Sequence, residues 1–179
     1  MDGLTIECRD VSGFAEIRSL LLSVYADVYA DRLGEEFHSV DRFNERLGWN
    51  TEVPGFAAAV GHTSGTPVGF AYGCTLQPDT RWWNGLRTPV PDDAVVETGS
   101  RTFALSELMV IQSVRGTGVA KQIHDELLRS RHEQRVTLLV ERDHPRVRAR
   151  YEAWGYQWLG EVVPFPDAPL YDALMLPLH

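Results

Sequence analysis

Cysteine is scarce in this chain, with Cys8 and Cys74 the only two in 179 residues. They form no C-x-x-C pair and no His/Cys pattern with metal-ligand spacing. Neither a disulfide framework nor a metal site is therefore expected, and structural thiols are the default. Lysine is scarcer still. Of the seventeen basic residues only Lys121 is lysine, which we read as the codon bias of a GC-rich bacterial genome. The arginines at 142–150 accordingly read as a solvated helix face. A net charge of −8 argues against a nucleic-acid backbone as main partner, because such binding needs a concentrated positive field. Long apolar runs are also missing. None approaches the roughly 18 residues of a membrane span, and Met1-Asp2-Gly3-Leu4-Thr5 has no basic n-region or apolar h-region. A cytoplasmic protein without a membrane partner is expected.

What is present is a chain with 44% hydrophobic residues, enough for one domain over 1–179 with a sizeable core. Leu4–Arg9 alternates as a strand, and Phe14–Ala30 carries apolar residues at helical spacing. A loop at 31–36 leads to a helix over Val40–Leu47, with Ser39 as N-cap and Gly48 at its end. Phe56–Val60 and Pro67–Leu76 read as an antiparallel hairpin around Thr63-Ser64-Gly65-Thr66. Residues 77–101 form a Pro-, Gly-, Asp- and Trp-rich insertion, long enough to be functional or mobile. Val136–Val140 reads as a buried strand. A helix runs from Pro145 to Gly155, and a strand pair covers Tyr156–Val163 and Leu170–Leu178.

The richest stretch is 102–129. The apolar strand Phe103–Val110 leads into the turn Arg115-Gly116-Thr117-Gly118-Val119-Ala120 and an amphipathic helix with Val119, Ala120, Ile123, Leu127 and Leu128 on one face. His124 is placed at the edge of that stripe. Two glycines let the backbone turn sharply, and the first helical turn offers unpaired N–H groups and the positive end of its dipole. A phosphate fits such a cradle. The P-loop pattern fails because Gln122 follows Lys121 where Ser or Thr is needed. The dinucleotide fingerprint fits Gly116, Gly118 and the later Glu141, but Lys121 occupies its third glycine.

The remaining pattern, Arg/Gln-x-x-Gly-x-Gly/Ala, is met by Arg115 through Ala120 and resembles the pyrophosphate-binding signature of the GNAT superfamily of acetyl-CoA-dependent N-acyltransferases. Tyr151-Glu152-Ala153-Trp154-Gly155-Tyr156 is similar to that family's Tyr-x-x-x-Gly-Phe/Tyr segment, in the matching helix. The element order β-α-α-β-β-β-α-β-α-β-β resembles the family's over nearly the whole chain. The resemblance implies an α/β (α+β) fold. Its sheet would be mixed and mostly antiparallel, with about seven strands and about four helices.

It also implies a cofactor site. Acetyl-CoA would lie in a gap between the strands ending at Val110 and Val140, its pantetheine against the backbone of Leu108, Met109 and Val110 and its pyrophosphate on Arg115–Ala120. His144 stands where many relatives have Asn near the cofactor, and it could equally cap the helix beside Asp143. Tyr151 would be the general acid that protonates the departing thiolate, since a phenol with a pKa of about 10 keeps its proton at neutral pH. An acidic residue stands eleven positions before Arg115 in some relatives. Here it is Ala104, which leaves Glu107 as candidate base, facing away from Ala104 by simple alternation unless a bulge re-aims it.

The resemblance places the acceptor among the first two helices and the loops, which points to Asp31, Glu35, Glu36, Trp82 and Trp83 as a cation-binding set. The alternative for these is a solvated acidic loop with anchoring tryptophans. His38, His62, His132 and His179 form no constellation. Exposed tryptophans and a terminal strand pair admit a homodimer. The leading expectation is transfer of an acetyl group to a primary amine of a small molecule or amino-acid-like acceptor. An inert acyl-CoA-binding sensor or interaction module, favoured by Ala104, is the alternative, and a dinucleotide oxidoreductase built on Gly116 and Glu141 a third.

Overall fold

The computed structural model describes residues 3–178. The start at Met1 and Asp2, read above as leader-free, and His179 lie outside them. Among the described residues the order is β1 (Leu4–Asp10), α1 (Phe14–Val28), α2 (Val40–Thr51), β2 (Ala57–Thr63), β3 (Thr66–Thr75), β4 (Thr102–Val110), α3 (Val119–Leu128), β5 (Arg135–Glu141), α4 (Pro145–Ala153), β6 (Gln157–Val162) and β7 (Tyr171–Pro177). This is the expected order. The strands form one open, mixed seven-stranded sheet, β1-β2-β3-β4-β5-β7-β6. The chain divides into two compact units, with the division falling inside β4. The first runs to Cys74 and takes in Leu105–Arg131; the second holds Thr75–Ala104 and the chain from His132 on.

In the first unit β1 pairs antiparallel with β2 and β2 with β3, the second pair turning through Ser64 and Gly65 at φ 50° and 77°. β2 and β3 are buried almost throughout because helices cover both of their faces. Alternation sends Ala58, Val60, Phe70 and Tyr72 into a core with Ile17, Leu21 and Tyr25 of α1 and Phe43 and Leu47 of α2. The opposite face meets α3, where a Cβ on Gly61 would stand 2.7 Å from Ile123.

Two helix boundaries differ from expectation. α1 ends at Val28, and α2 runs through Gly48 to Thr51. Ser39 does cap α2, accepting from the Arg42 amide at 3.2 Å. Gly48 does not stop the helix because Asn50 donates back to the Arg46 carbonyl and Thr51 to that of Gly48, at 2.8 and 2.7 Å. Those bonds offset the roughly 1 kcal/mol that a helical glycine costs.

In the second unit β7 pairs antiparallel with β5 on one side and with β6 on the other. The 77–101 insertion is built in. Leu86 bridges Val162, the Arg87 amide donates to the Glu161 carbonyl at 2.8 Å, and the Val163 amide donates to the Gly85 carbonyl at 3.0 Å. The insertion thus covers the outer edge of β6, which would otherwise present unpaired backbone groups. Gly85 permits this, since a Cβ there would lie 1.9 Å from the Val163 carbonyl oxygen. No helix among the described residues is long and apolar enough to cross a membrane.

Candidate active site

The cradle belongs to the first unit. After β4 the Ile111 amide donates to the Val68 carbonyl at 2.9 Å, a 3-10 turn covers Gln112–Val114, and the chain is exposed from Arg115 to Gly118. Gly116 and Gly118 have φ of 79° and 90°, the left-handed region that a side chain disfavours, and Gly118 is the N-cap of α3. The Thr117 hydroxyl donates to the Val114 carbonyl at 2.7 Å and steadies the turn. The first amides of α3 have no preceding helical carbonyl, so N–H groups of the kind that attract anions stand at its N-terminus, behind the exposed stretch Arg115–Gly118. Arg115 Nε reaches back 3.4 Å to the Val110 carbonyl, and Lys121 Nζ is tied to Asp125 one turn along. A pyrophosphate is suited by this backbone cradle.

Leu108 is half-buried on β4, with Met109 and Val110 buried beyond it. Glu107 precedes them and meets Arg46 of α2, with Nη2 and Oε1 3.8 Å apart. Ser106 also reaches α2, donating to Asn50 Oδ1 at 2.6 Å, an oxygen that also accepts from Cys74 at 3.5 Å. Strict alternation would send Ser106 and Glu107 to opposite faces, yet both find α2. Burial and the Glu107 carboxylate push the Tyr25 phenol up to about 12. The same two causes hold the Tyr72 phenol well above its usual value, and burial pushes the Cys74 thiol up to about 12. Burial is the largest single influence on Arg46 and works against its charge, but Glu107, Tyr25 and Tyr72 together outweigh it and raise that pKa.

Tyr151 lies in the second unit, half-buried on α4. Its ring meets Trp154 and Tyr156 edge-on at 5.2 and 5.4 Å. Gly155, at φ 100°, ends the segment as expected. His144 is the N-cap residue, but its side chain makes no capping bond; its carbonyl accepts from Val147 and Arg148 at 3.0 and 3.2 Å. Glu141, Asp143 and His144 bring ligand-type atoms within 4.8 Å of one another, a grouping that sequence spacing did not flag. Asp143 and His144 are exposed. Of the arginines at 142–150, Arg142 pairs with Glu161, and Arg148 with Glu152 and Asp172.

The acceptor residues divide. Asp31 and Glu36 are exposed in the first unit, while Glu35 is held by Arg32 at 2.9 Å. In the second unit Trp83 is buried and donates from Nε1 to Glu97 at 3.1 Å, and Trp82 packs edge-on to it at 6.4 Å. Trp83 is an anchor of the insertion and not an exposed aromatic face; the exposed tryptophans are Trp49 and Trp158. His124 is buried, not at an edge. Sequence reasoning missed Arg46, Tyr25 and Tyr72, which surround Glu107. Arg46 alone left a trace, as an arginine on a helix near the expected acceptor side.

No protein-family model matches the chain, and no curated protein sequence matches it. Solved structures do. An acetyltransferase from Thermus thermophilus aligns at 16% identity over 98% of this chain and 97% of its own, with a TM-score of 0.64. A GNAT-family acetyltransferase from Staphylococcus aureus Mu50 aligns at 12% identity over 99% and 100%, with a TM-score of 0.66. A ribosomal-protein-alanine N-acetyltransferase from Brucella melitensis aligns at 15% identity over 97% and 99%, with a TM-score of 0.63. At these identities the likeness is one of fold.

Proposed function

We propose that this chain, whose fold is that of the GNAT acetyltransferases, transfers the acetyl group of acetyl-CoA to a primary amine of a small molecule or amino-acid-like acceptor. The observation that carries the reading is the turn Arg115–Ala120, exposed over Arg115–Gly118 and with Gly116 and Gly118 left-handed, at the head of α3. Its amides would hold the pyrophosphate, and the backbone of Leu108, Met109 and Val110 the pantetheine. His144 is a further candidate contact.

The acceptor must shed a proton before it attacks, since at a pKa near 10.4 only about one alkylammonium in a few thousand is neutral at pH 7. Glu107 takes that proton, directly or through water. The amine lone pair forms the C–N bond at the thioester carbonyl while the Val110 N–H stabilises the oxyanion. The C–S bond then breaks, and Tyr151 gives its phenolic proton to the sulfur. The second proton released by the nitrogen restores Tyr151, so each turnover yields amide, free CoA and one proton. Asp31 and Glu36 are the carboxylates available to hold a cationic acceptor, while Glu35, Trp82 and Trp83 would contribute through their packing.

Thermal shift with acetyl-CoA tests the cradle, because a ligand that binds only the native state raises apparent stability. Free CoA is then followed with a panel of amines that includes polyamines, amino acids and an alanine-headed peptide. Tyr151→Phe keeps the ring and removes the proton. We expect turnover about a hundredfold lower with an unaltered thermal shift. Unaltered turnover would remove Tyr151 from the mechanism. Binding without CoA release from any amine would favour the second reading, an inert acyl-CoA-binding module, which is motivated by the buried Ala104.

A further inference from the structure

We infer that Arg46 of α2 is a positioning residue for this reaction, its guanidinium holding Glu107 as an ionised and oriented carboxylate. The inference rests on the reading of Glu107 as proton acceptor.

The guanidinium is itself fixed. Arg46 Nη1 donates to the Phe37 carbonyl at 2.8 Å, and the guanidinium carbon lies 4.3 Å over the Phe37 ring. Its Nη2 edge faces Glu107 at 3.8 Å. Phe37 is in turn placed by the 3-10 turn Glu36–His38, immediately before the Ser39 cap of α2. The cation is therefore held by backbone, ring and helix start before it meets the carboxylate. Glu107 remains reachable, since its side chain is 20% exposed against 10% for Arg46. A pair serving packing alone has no need of an open carboxylate.

Among the described residues, titratable and charged groups approach Glu107 from several elements. Arg46 faces it from α2, Tyr25 from α1, and Tyr72 from β3 with Cys74 two residues on; Arg32 lies beyond the end of α1. Burial keeps Tyr25, Tyr72 and Cys74 neutral through the physiological range. Arg32 is committed to Glu35 at 2.9 Å. Arg46 is thus a fixed cation facing Glu107 that favours its charged form. An opposite charge within about 4–6 Å lowers a carboxyl pKa by roughly 1–3 units, and removing it lets burial act in the other direction.

The test is a 13C NMR titration of carboxyl-labelled glutamate, with the Glu107 resonance assigned by its loss in Glu107→Gln. In the native chain we expect a midpoint below the reference value of about 4.3, and in Arg46→Gln one at least about one unit higher. A native midpoint at or above about 4.3 overturns the inference, whether or not Arg46→Gln folds. Turnover is then read with acetyl-CoA and an alanine-headed peptide. Arg46→Gln should lower kcat about tenfold and raise the acid limb of the pH profile by about one unit, with the KM for acetyl-CoA unaltered. Arg46→Lys should return the limb to its native position. A limb that stays in place in Arg46→Gln, or a change confined to KM, overturns the inference while leaving Glu107 as base. Unaltered turnover in Glu107→Gln overturns the reading of Glu107 itself.

Discussion

Each unit contains a glutamate facing an arginine, and the two pairs are built differently. In the second unit Glu97 is fully enclosed, with 0% of its side chain exposed against 11% for Arg135. Its Oε1 accepts from Trp83 Nε1, the Thr102 hydroxyl and Arg135 Nη2 at 3.1, 3.0 and 3.0 Å. Arg135 also donates to the Ala94 carbonyl and to the Thr102 hydroxyl oxygen, at 2.8 and 2.7 Å. These bonds join three parts of the insertion to β4 and β5. In the first unit Glu107 is partly open and Arg46 stands at the longer distance of 3.8 Å. A closed pair with three donors on one carboxylate oxygen fastens chain segments together, whereas an open pair leaves its carboxylate accessible. Residue type does not separate them; enclosure and the number of donors do.

The largest effect should come from breaking the closed pair. Arg135→Met leaves Glu97 buried without its cation, a change that typically costs about 3–5 kcal/mol. Chemical denaturation at pH 7 would measure it. A loss below about 1 kcal/mol would mean that the two pairs are not different in kind. A smaller effect is expected at the seam between insertion and β6. Gly85→Ala places a methyl group 1.9 Å from the Val163 carbonyl oxygen, so the strands must part. Overpacking of this sort costs about 1–3 kcal/mol. Limited proteolysis should then cut within 77–101, while the thermal shift with acetyl-CoA persists. Loss of that shift would tie the insertion to the cofactor site.

How far the sequence could be read follows the same contrast. The β4–turn–α3 segment was legible because each part has a local signature: an apolar strand, two glycines at left-handed positions and a helical stripe. Ser39 and Gly155 were legible as caps for the same reason. α2 was read too short because Gly48 is a local stop signal, and the side-chain bonds of Asn50 and Thr51 that override it are visible only in three dimensions. Arg46 carries no local signature of its own, and its partner lies on a strand far along the chain. Glu97 sat in a stretch with no periodicity at all. Glu107 could be named but not aimed, since the departure from alternation at Ser106 and Glu107 leaves no mark in residue type. The acceptor set was the least legible part, because Trp83 and Glu35 are bound by Glu97 and Arg32, partners that composition does not disclose.

The smallest effect separates the first unit by its response to acid. His124 on α3 is 2% exposed, and burial lowers its pKa below the usual value of about 6.5, with Asp125 at 2.9 Å from Nδ1 offsetting part of the shift. The unfolded chain therefore binds a proton near pH 6.5 that the folded chain still resists. The stabilising contribution is complete above about pH 6.5 and is lost as pH falls from there through the folded pKa. Thermal unfolding of the native chain between pH 7.5 and 5 should show a declining Tm, and His124→Gln should show a shallower decline whatever its absolute stability. The slope, not the height, carries the information, since Gln at a buried site has a packing cost of its own that does not vary with pH. Parallel slopes in the native chain and His124→Gln would show that Asp125 cancels the burial of the imidazole outright, leaving the acid response of the first unit to its carboxylates.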